Sequence, residues 1–129
     1  MDLPRVMHID DEPDIREIAL IALETVGGLS VVQCASGEEA IAMAPDWQPD
    51  VFVIDVMMPG MTGVETFHAL RAMSQFSTTP MIFLTAKAQV GDLDILREVG
   101  ADAVMTKPFD PMTLAERVIE VWRGTRPDG

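Results

Sequence analysis

The chain has no tyrosine, one cysteine and two lysines. Each scarcity excludes something. With aromatics at only 5% of residues, the core must be built from aliphatic side chains and from the ten methionines. A single cysteine, Cys34, rules out an internal disulfide. It lies in the apolar run Val31-Val32-Gln33-Cys34-Ala35 and reads as a small buried hydrophobe, not a redox centre. Basic residues number 9 against 21 acidic ones, for a net charge of −12. Such a surface repels nucleic acid and anionic lipid, so neither is an expected partner. Long apolar runs are missing too. The uncharged stretch Ser74–Ala86 is interrupted by Ser, Gln, Thr and Pro, so no bilayer span is expected. The N-terminus lacks a basic region followed by an apolar one, which predicts no signal peptide and a cytoplasmic location. No G-x-x-x-x-G-K occurs, which excludes a mononucleotide P-loop. Repeats, linkers and low-complexity segments are also absent.

What the chain does have is short apolar runs that end on reactive side chains. Val6-Met7-His8-Ile9 runs into Asp10-Asp11, and Val51-Phe52-Val53-Ile54 into Asp55. Met81-Ile82-Phe83-Leu84 runs into Thr85, and Ala103-Val104-Met105-Thr106 into Lys107-Pro108. Runs of this kind, separated by segments of helical periodicity, predict buried parallel strands. Strands are expected at 5–9, 30–35, 50–55, 80–85 and 102–106. Helices are expected from Pro13 to about Val26, where Gly27-Gly28 ends the pattern, and at 37–44, stopped by Pro45. Ser36 and Glu39 have capping-box spacing at the head of that second helix. Further helices are expected at 64–73, at 92–99 and at 111–123, the last capped by Asp110. The repeated strand–helix order predicts right-handed crossovers and a three-layer α/β sandwich with one parallel sheet. At 129 residues this is one domain, with a core over about 5–123 and a polar, mobile tail at 124–129.

In such sheets the site lies beyond the carboxyl ends of the strands. Asp10, Asp11, Asp55, Thr85 and Lys107 should therefore meet at one edge. Adjacent carboxylates repel one another, and Mg²⁺ is a natural neutraliser because it accepts few protein carboxylates and keeps several waters. An aspartate can attack a phosphoryl group, while an ammonium and a hydroxyl steady its oxygens. His8 lies close by in sequence. It reads as a packed core histidine rather than a ligand or a phosphohistidine, since successive strand residues face opposite ways. Met57-Met58 reads as packing and loop wall rather than a soft-metal site.

Asp10-Asp11-Glu12-Pro13, Asp55, Met58-Pro59-Gly60-Met61-Thr62-Gly63, Thr85-Ala86 and Lys107-Pro108-Phe109 together resemble the receiver domain of two-component response regulators. The resemblance covers nearly the whole chain, from about Arg5 to Arg123. Each motif alone is common, but all of them in order, each at a strand end, are specific. The resemblance implies a flavodoxin-like (βα)5 fold with strand order 2-1-3-4-5. It implies that Asp55 accepts a phosphoryl group from a phosphohistidine of a sensor histidine kinase or a histidine phosphotransfer protein. Mg²⁺, or Mn²⁺ in its place, would be held by Asp11, Asp55 and the Met57 backbone carbonyl, and by Asp10 through water. Lys107 would pair with the phosphoryl oxygens. Thr85, followed by the small Ala86, would move to bond them. Pro59, Gly60, Gly63 and Pro108 would shape the loops. The protein would be a phosphorylation-operated signalling switch and not an enzyme beyond its own phosphorylation and dephosphorylation. Output would pass through the fourth helix, the fifth strand and the last helix, near Trp122, to an unassigned partner. The same face could support a homodimer.

One position departs from the family pattern. Three residues before Lys107, where a Tyr or Phe is usual, stands Val104. Smaller phosphorylation-linked changes are therefore expected on the distal face. Three other functions were weighed. A degenerate receiver that docks without phosphate would usually have lost the Asp, Thr or Lys, and none is lost. A phosphohydrolase of the haloacid dehalogenase class needs a second Asp two residues after the nucleophile, where Met57 stands. A flavin carrier needs a hydroxyl-rich phosphate loop after strand one, where Asp10-Asp11-Glu12 would repel the phosphate. The residues do not show whether the chain stands alone or is a fragment of a longer regulator.

Overall fold

Five strands pair in parallel in the order β2-β1-β3-β4-β5. They are β1 (Arg5–Ile9), β2 (Ser30–Cys34), β3 (Val51–Asp55), β4 (Met81–Thr85) and β5 (Ala103–Thr106). The connecting helices are α1 (Pro13–Leu20), α2 (Gly37–Trp47), α3 (Gly63–Arg71), α4 (Val90–Val99) and α5 (Leu114–Thr125). The computed structural model describes residues 2–87 and 89–125. The order is the doubly wound one, with its crevice between β1 and β3.

Strand alternation divides the core in two. Met7, Ile9, Phe52, Ile54, Met81 and Phe83 face Ala40, Ala44, Phe67, Leu70 and Leu96 of α2, α3 and α4. Val6, Val51, Val53, Ile82, Leu84 and Met105 face Ala22, Leu23, Leu114 and Val118 on the α1–α5 side. All five residues of β3 and of β4 are buried, which is why these central strands are unbroken apolar runs. The same parity sets the site. Asp10, Asp55 and Lys107 continue the rows that begin at Val6, Val51 and Ala103, whereas Thr85 and Val104 fall in the rows facing α4. Val104 is half-buried against the cluster that contains Phe83 and Leu96.

Several helix features differ from the periodicity-based reading. Gly27-Gly28 does end the first helix, but its last part, Ile21–Val26, is π-helical. Gly27 lies so close to α5 that a Cβ there would sit 2.3 Å from Ala115 Cβ. Pro45 does not stop α2, which runs on to Trp47 and ends at Gln48 in the left-handed region, φ 57°. A proline in the last turn forfeits only one i→i−4 bond. Ser36 accepts from Glu39 N at 3.1 Å, while the full reciprocal capping box lies at Thr62 and Glu65 on α3. At the chain end, Asp110 Oδ1 accepts from Met112 N at 2.8 Å, but residues 111–113 form turns and α5 begins at Leu114. Gly124 and Thr125, assigned to a tail from sequence, belong to that helix, and 126–129 lie outside the described residues. Trp122 is buried at the far end of the sheet, where it borders an open cavity of about 470 Å³ with Pro49, Phe76 and Pro80, so it presents no apolar surface for output. Among the described residues no helix is long and apolar enough to cross a membrane.

Candidate functional site: an acidic cluster bridged by Lys107

The carboxyl ends of β1, β3 and β5 bring Asp10, Asp55 and Lys107 into contact. Lys107 Nζ lies 2.9 Å from Asp10 Oδ2 and 3.1 Å from Asp55 Oδ1. Glu12 Oε1, at the mouth of the site, is 3.6 Å away. The Asp10 and Asp55 side chains are 0% and 4% exposed, and Lys107 only 9%. One oxygen from each of Asp10, Asp11, Glu12 and Asp55 falls within 4.8 Å of the others. Asp10 Oδ1 is anchored by the Glu12 backbone N–H at 2.9 Å.

These charges shift one another. Burial and the neighbouring Asp10 push the Asp55 carboxyl up to about 6, against the pull of Lys107. Burial alone would lower the Lys107 ammonium, but hydrogen bonding and charge from Asp10 and Asp55 outweigh it and hold the group above its usual value. His8 is also at the site. Alternation separates it from Ile9 but places it on the same side as Asp10, two residues on. Its Nε2 lies 3.9 Å from Asp10 Oδ2, and burial pushes the imidazole down to about 4. The packed-core reading of His8 thus omits a polar neighbour that i, i+2 parity could have revealed.

Asp10 Oδ2, Asp11 Oδ1 and Asp55 Oδ2 are buried and accept no directed hydrogen bond, although Lys107 neutralises part of their charge. Two of these oxygens have no counter-group and Asp10 Oδ2 has the ammonium; together they form a hard donor set that fits an oxygen-seeking divalent cation such as Mg²⁺.

The remaining residues of the sequence reading are distributed around this cluster. Thr85 is buried beside it, and its Oγ1 accepts from Lys87 N at 3.1 Å. Ala86 is exposed next to it. Met57, 60% exposed, lines a cavity of about 150 Å³ with Thr85, Lys87, Ile95 and Leu96. Pro59 is exposed, and Gly60 adopts φ +73°, where a side chain would be strained. At Gly63 a Cβ would come within 2.2 Å of the Asp55 carbonyl oxygen, so α3 can start there only because the residue is glycine. Pro108 follows Lys107 through a cis peptide bond. The motif Asp10-Asp11-Glu12-Pro13 gives Glu12 no role by itself, and apolar periodicity carries no signal for the pairing of His8 with Gln33.

The pKa shifts predict an unusual pH response for the metal-free protein. Asp55 is raised in the folded state, so its contribution falls as pH rises from about 4 to about 6. His8 is lowered, so its contribution is lost as pH falls from 6.5 towards about 4. The two slopes oppose each other. In Asp55→Asn only the His8 slope remains, and thermal stability should rise with pH through this window more steeply than in wild type. Between pH 4 and pH 7 the variant should gain on wild type by about 3 kcal/mol, two pKa units being worth about that much. Melting curves in chelator at pH 4.5 to 7.5 check this, and parallel curves for the two proteins would contradict it.

Comparison with known proteins fits this geometry. The family model for the response regulator receiver domain matches residues 6–119. The phosphate regulon transcriptional regulatory protein PhoB of Pseudomonas aeruginosa is 36% identical over 122 residues, 95% of this chain and 53% of that protein. The alkaline phosphatase synthesis transcriptional regulatory protein PhoP of Bacillus subtilis is 37% identical over 92% of this chain and 48% of its own length. Among solved structures, the chemotaxis response regulator CheY4 of Vibrio cholerae superposes with a TM-score of 0.85 at 35% identity, covering 93% of this chain and 99% of that one. The chain therefore belongs to the receiver-domain family of two-component response regulators, as its motifs implied. It spans about half the length of the curated relatives it matches. Receiver domains are signalling domains rather than conventional enzymes.

Proposed function

We propose that Asp55 is the phosphoacceptor of a phosphorelay switch. A carboxylate oxygen of Asp55 attacks the phosphorus of a phosphohistidine presented by a sensor histidine kinase or a histidine phosphotransfer protein. The P–N bond breaks, the imidazole leaves, and an acyl phosphate forms on Asp55. Hydrolysis returns the carboxylate and inorganic phosphate, and these two self-directed steps are the only chemistry assigned to the chain. The observation that carries this reading is the Lys107 ammonium bridging Asp10 and Asp55 beside the unpaired, buried oxygens Asp11 Oδ1 and Asp55 Oδ2. Asp10, Asp11 and Asp55, with the Met57 carbonyl, would hold Mg²⁺. When bound, Mg²⁺ supplies positive charge that offsets the carboxylates and the phosphoryl oxygens. Lys107 keeps Asp55 ionised and then pairs with the phosphoryl group, while Thr85 supplies a hydroxyl. The chain acts as one receiver unit in the cytoplasm, where kinases present their phosphohistidine. Its output partner binds, and a homodimer forms, through α4, β5 and α5. Exposed Val90 and Ile95 give α4 an apolar contribution to that face. Addition of Mg²⁺ and then beryllofluoride, followed by amide NMR, tests this reading. Shifts at Asp55, Thr85 and Lys107 that require both additions are expected, and their absence would overturn it.

The phosphorylated form should be long-lived. Hydrolysis needs a water held in line with the Asp55–phosphorus bond by polar groups. Met57, two residues after Asp55, offers no such group and lies over the cavity beside Thr85. Lys87 lines the same cavity and can hold the phosphoryl oxygens. A Met57→Asn, Lys87→Glu double variant should lose its phosphate at least about tenfold faster, a small part of the roughly 10²–10⁴-fold that a well-placed proton-transfer group can supply. Decay of purified phosphoprotein in Mg²⁺ without kinase measures it, and equal or slower decay would remove the shielding role.

A further inference from the structure

The hydrogen bonds around His8 give it a defined job. Gln33 is the register partner of His8 across β1 and β2. Its side-chain amide nitrogen donates to the Arg16 backbone carbonyl at 2.7 Å. A carbonyl can only accept, so the Gln33 amide is oriented with its nitrogen inward. That nitrogen is 3.0 Å from His8 Nδ1. Nδ1 must then present a lone pair, and the neutral ring carries its proton on Nε2. Among the described residues Nε2 is buried without a hydrogen-bond partner, and Asp10 Oδ2, which meets the Lys107 ammonium at 2.9 Å, lies 3.9 Å away. The gap exceeds an ordinary N–H···O bond by about 1 Å. Arg16 closes the ring of contacts, its guanidinium donating to the Asp10 backbone carbonyl at 2.7 Å.

The geometry points to His8 as a positioning residue for Asp10. Gln33 fixes the Nε2–H tautomer, and that N–H takes up Asp10 Oδ2 when Lys107 turns from Asp10 to the phosphoryl group. Asp10 then has both oxygens held, Oδ1 by the Glu12 N–H and Oδ2 by His8, and keeps its aim as the ammonium withdraws. This is the arrangement by which partners behind a ligating side chain orient it. The inference rests on the assignment of Asp10 to the metal site.

Two readouts test it. In ¹⁵N-labelled wild type with chelator, long-range proton–nitrogen NMR should place the His8 proton on Nε2. In Gln33→Leu the single tautomer should be lost. Calorimetric titration with Mg²⁺ in the presence of beryllofluoride, which draws Lys107 from Asp10, should then give about tenfold weaker binding for His8→Phe and for Gln33→Leu, the lower end of the effect of such supporting partners. His8→Gln, whose amide can place an N–H near the Nε2 position, should recover most of the affinity. A wild-type proton on Nδ1 would overturn the inference. So would a folded His8→Phe with wild-type affinity. If His8→Phe does not fold, Gln33→Leu decides, and unchanged affinity beside a mixed tautomer is the overturning result. A wild type that takes up no Mg²⁺ overturns the metal-site reading itself. Its blank titration separates that failure from a failure of His8.

Discussion

Asp55→Asn is expected to abolish labelling by acetyl phosphate and by a kinase while leaving the fold intact. The amide is nearly isosteric with the carboxylate but lacks the nucleophilic oxygen charge. Asp55 ends β3, whose other residues are apolar and buried, so the substitution disturbs no core packing. It also removes a charge held 3% exposed beside Asp10, which is why the variant should gain stability in chelator as it loses phosphorylation. Radiolabel incorporation and thermal melts on the same preparation measure both. Labelling at the wild-type level would assign the acceptor elsewhere.

Lys107→Ala should separate metal binding from the response to phosphate. The ammonium lies 2.9 Å from Asp10 and 3.1 Å from Asp55, in a pocket with little solvent. Removing it leaves buried carboxylates facing one another without a counter-charge. Breaking such a pair costs about 3 kcal/mol or more at neutral pH in the metal-free protein. Mg²⁺ then becomes the only neutraliser, so its affinity should hold or rise and it should restore much of the lost stability. The phosphoryl group has no such substitute, and beryllofluoride-dependent NMR shifts at Thr85 should disappear. Calorimetry with Mg²⁺ and melts with and without the ion check this. A large loss of Mg²⁺ affinity in a folded variant would show that Lys107 helps build the metal site instead of competing for it.

The strands and the site were legible in the sequence for one physical reason. In a parallel sheet covered on both faces, apolar runs mark the strands, and polar residues at the ends of the runs in β1, β3, β4 and β5 fall at the edge that carries the candidate site. Val51–Ile54 followed by Asp55 shows the rule, and the observed strand is Val51–Asp55. Helix ends were less legible because they depend on local bonding that periodicity does not carry. Pro45 reads as a stop in the sequence, but a proline in the final turn loses little, and Gln48 supplies the ending. The π-helical stretch Ile21–Val26 needs one extra residue per turn, which a pattern of apolar positions at 3.6 spacing does not register. His8 is the buried core histidine the strand pattern predicts, but its polar contacts lie two residues along, at Asp10, and across to Gln33 on β2, where a pattern of apolar runs does not register them. Trp122 was placed on an output surface by its position near the chain end, but the helical stripe that carries it turns inward.

The most direct measurement is to phosphorylate the protein with acetyl phosphate and Mg²⁺, reduce the acyl phosphate with borohydride, digest it, and locate the modified residue by mass spectrometry. Reduction of an aspartyl phosphate leaves homoserine in place of aspartate. The account predicts homoserine at position 55 and unmodified aspartate at 10 and 11. Homoserine at 10 or 11, or phosphate held only on His8 or His68, would contradict it.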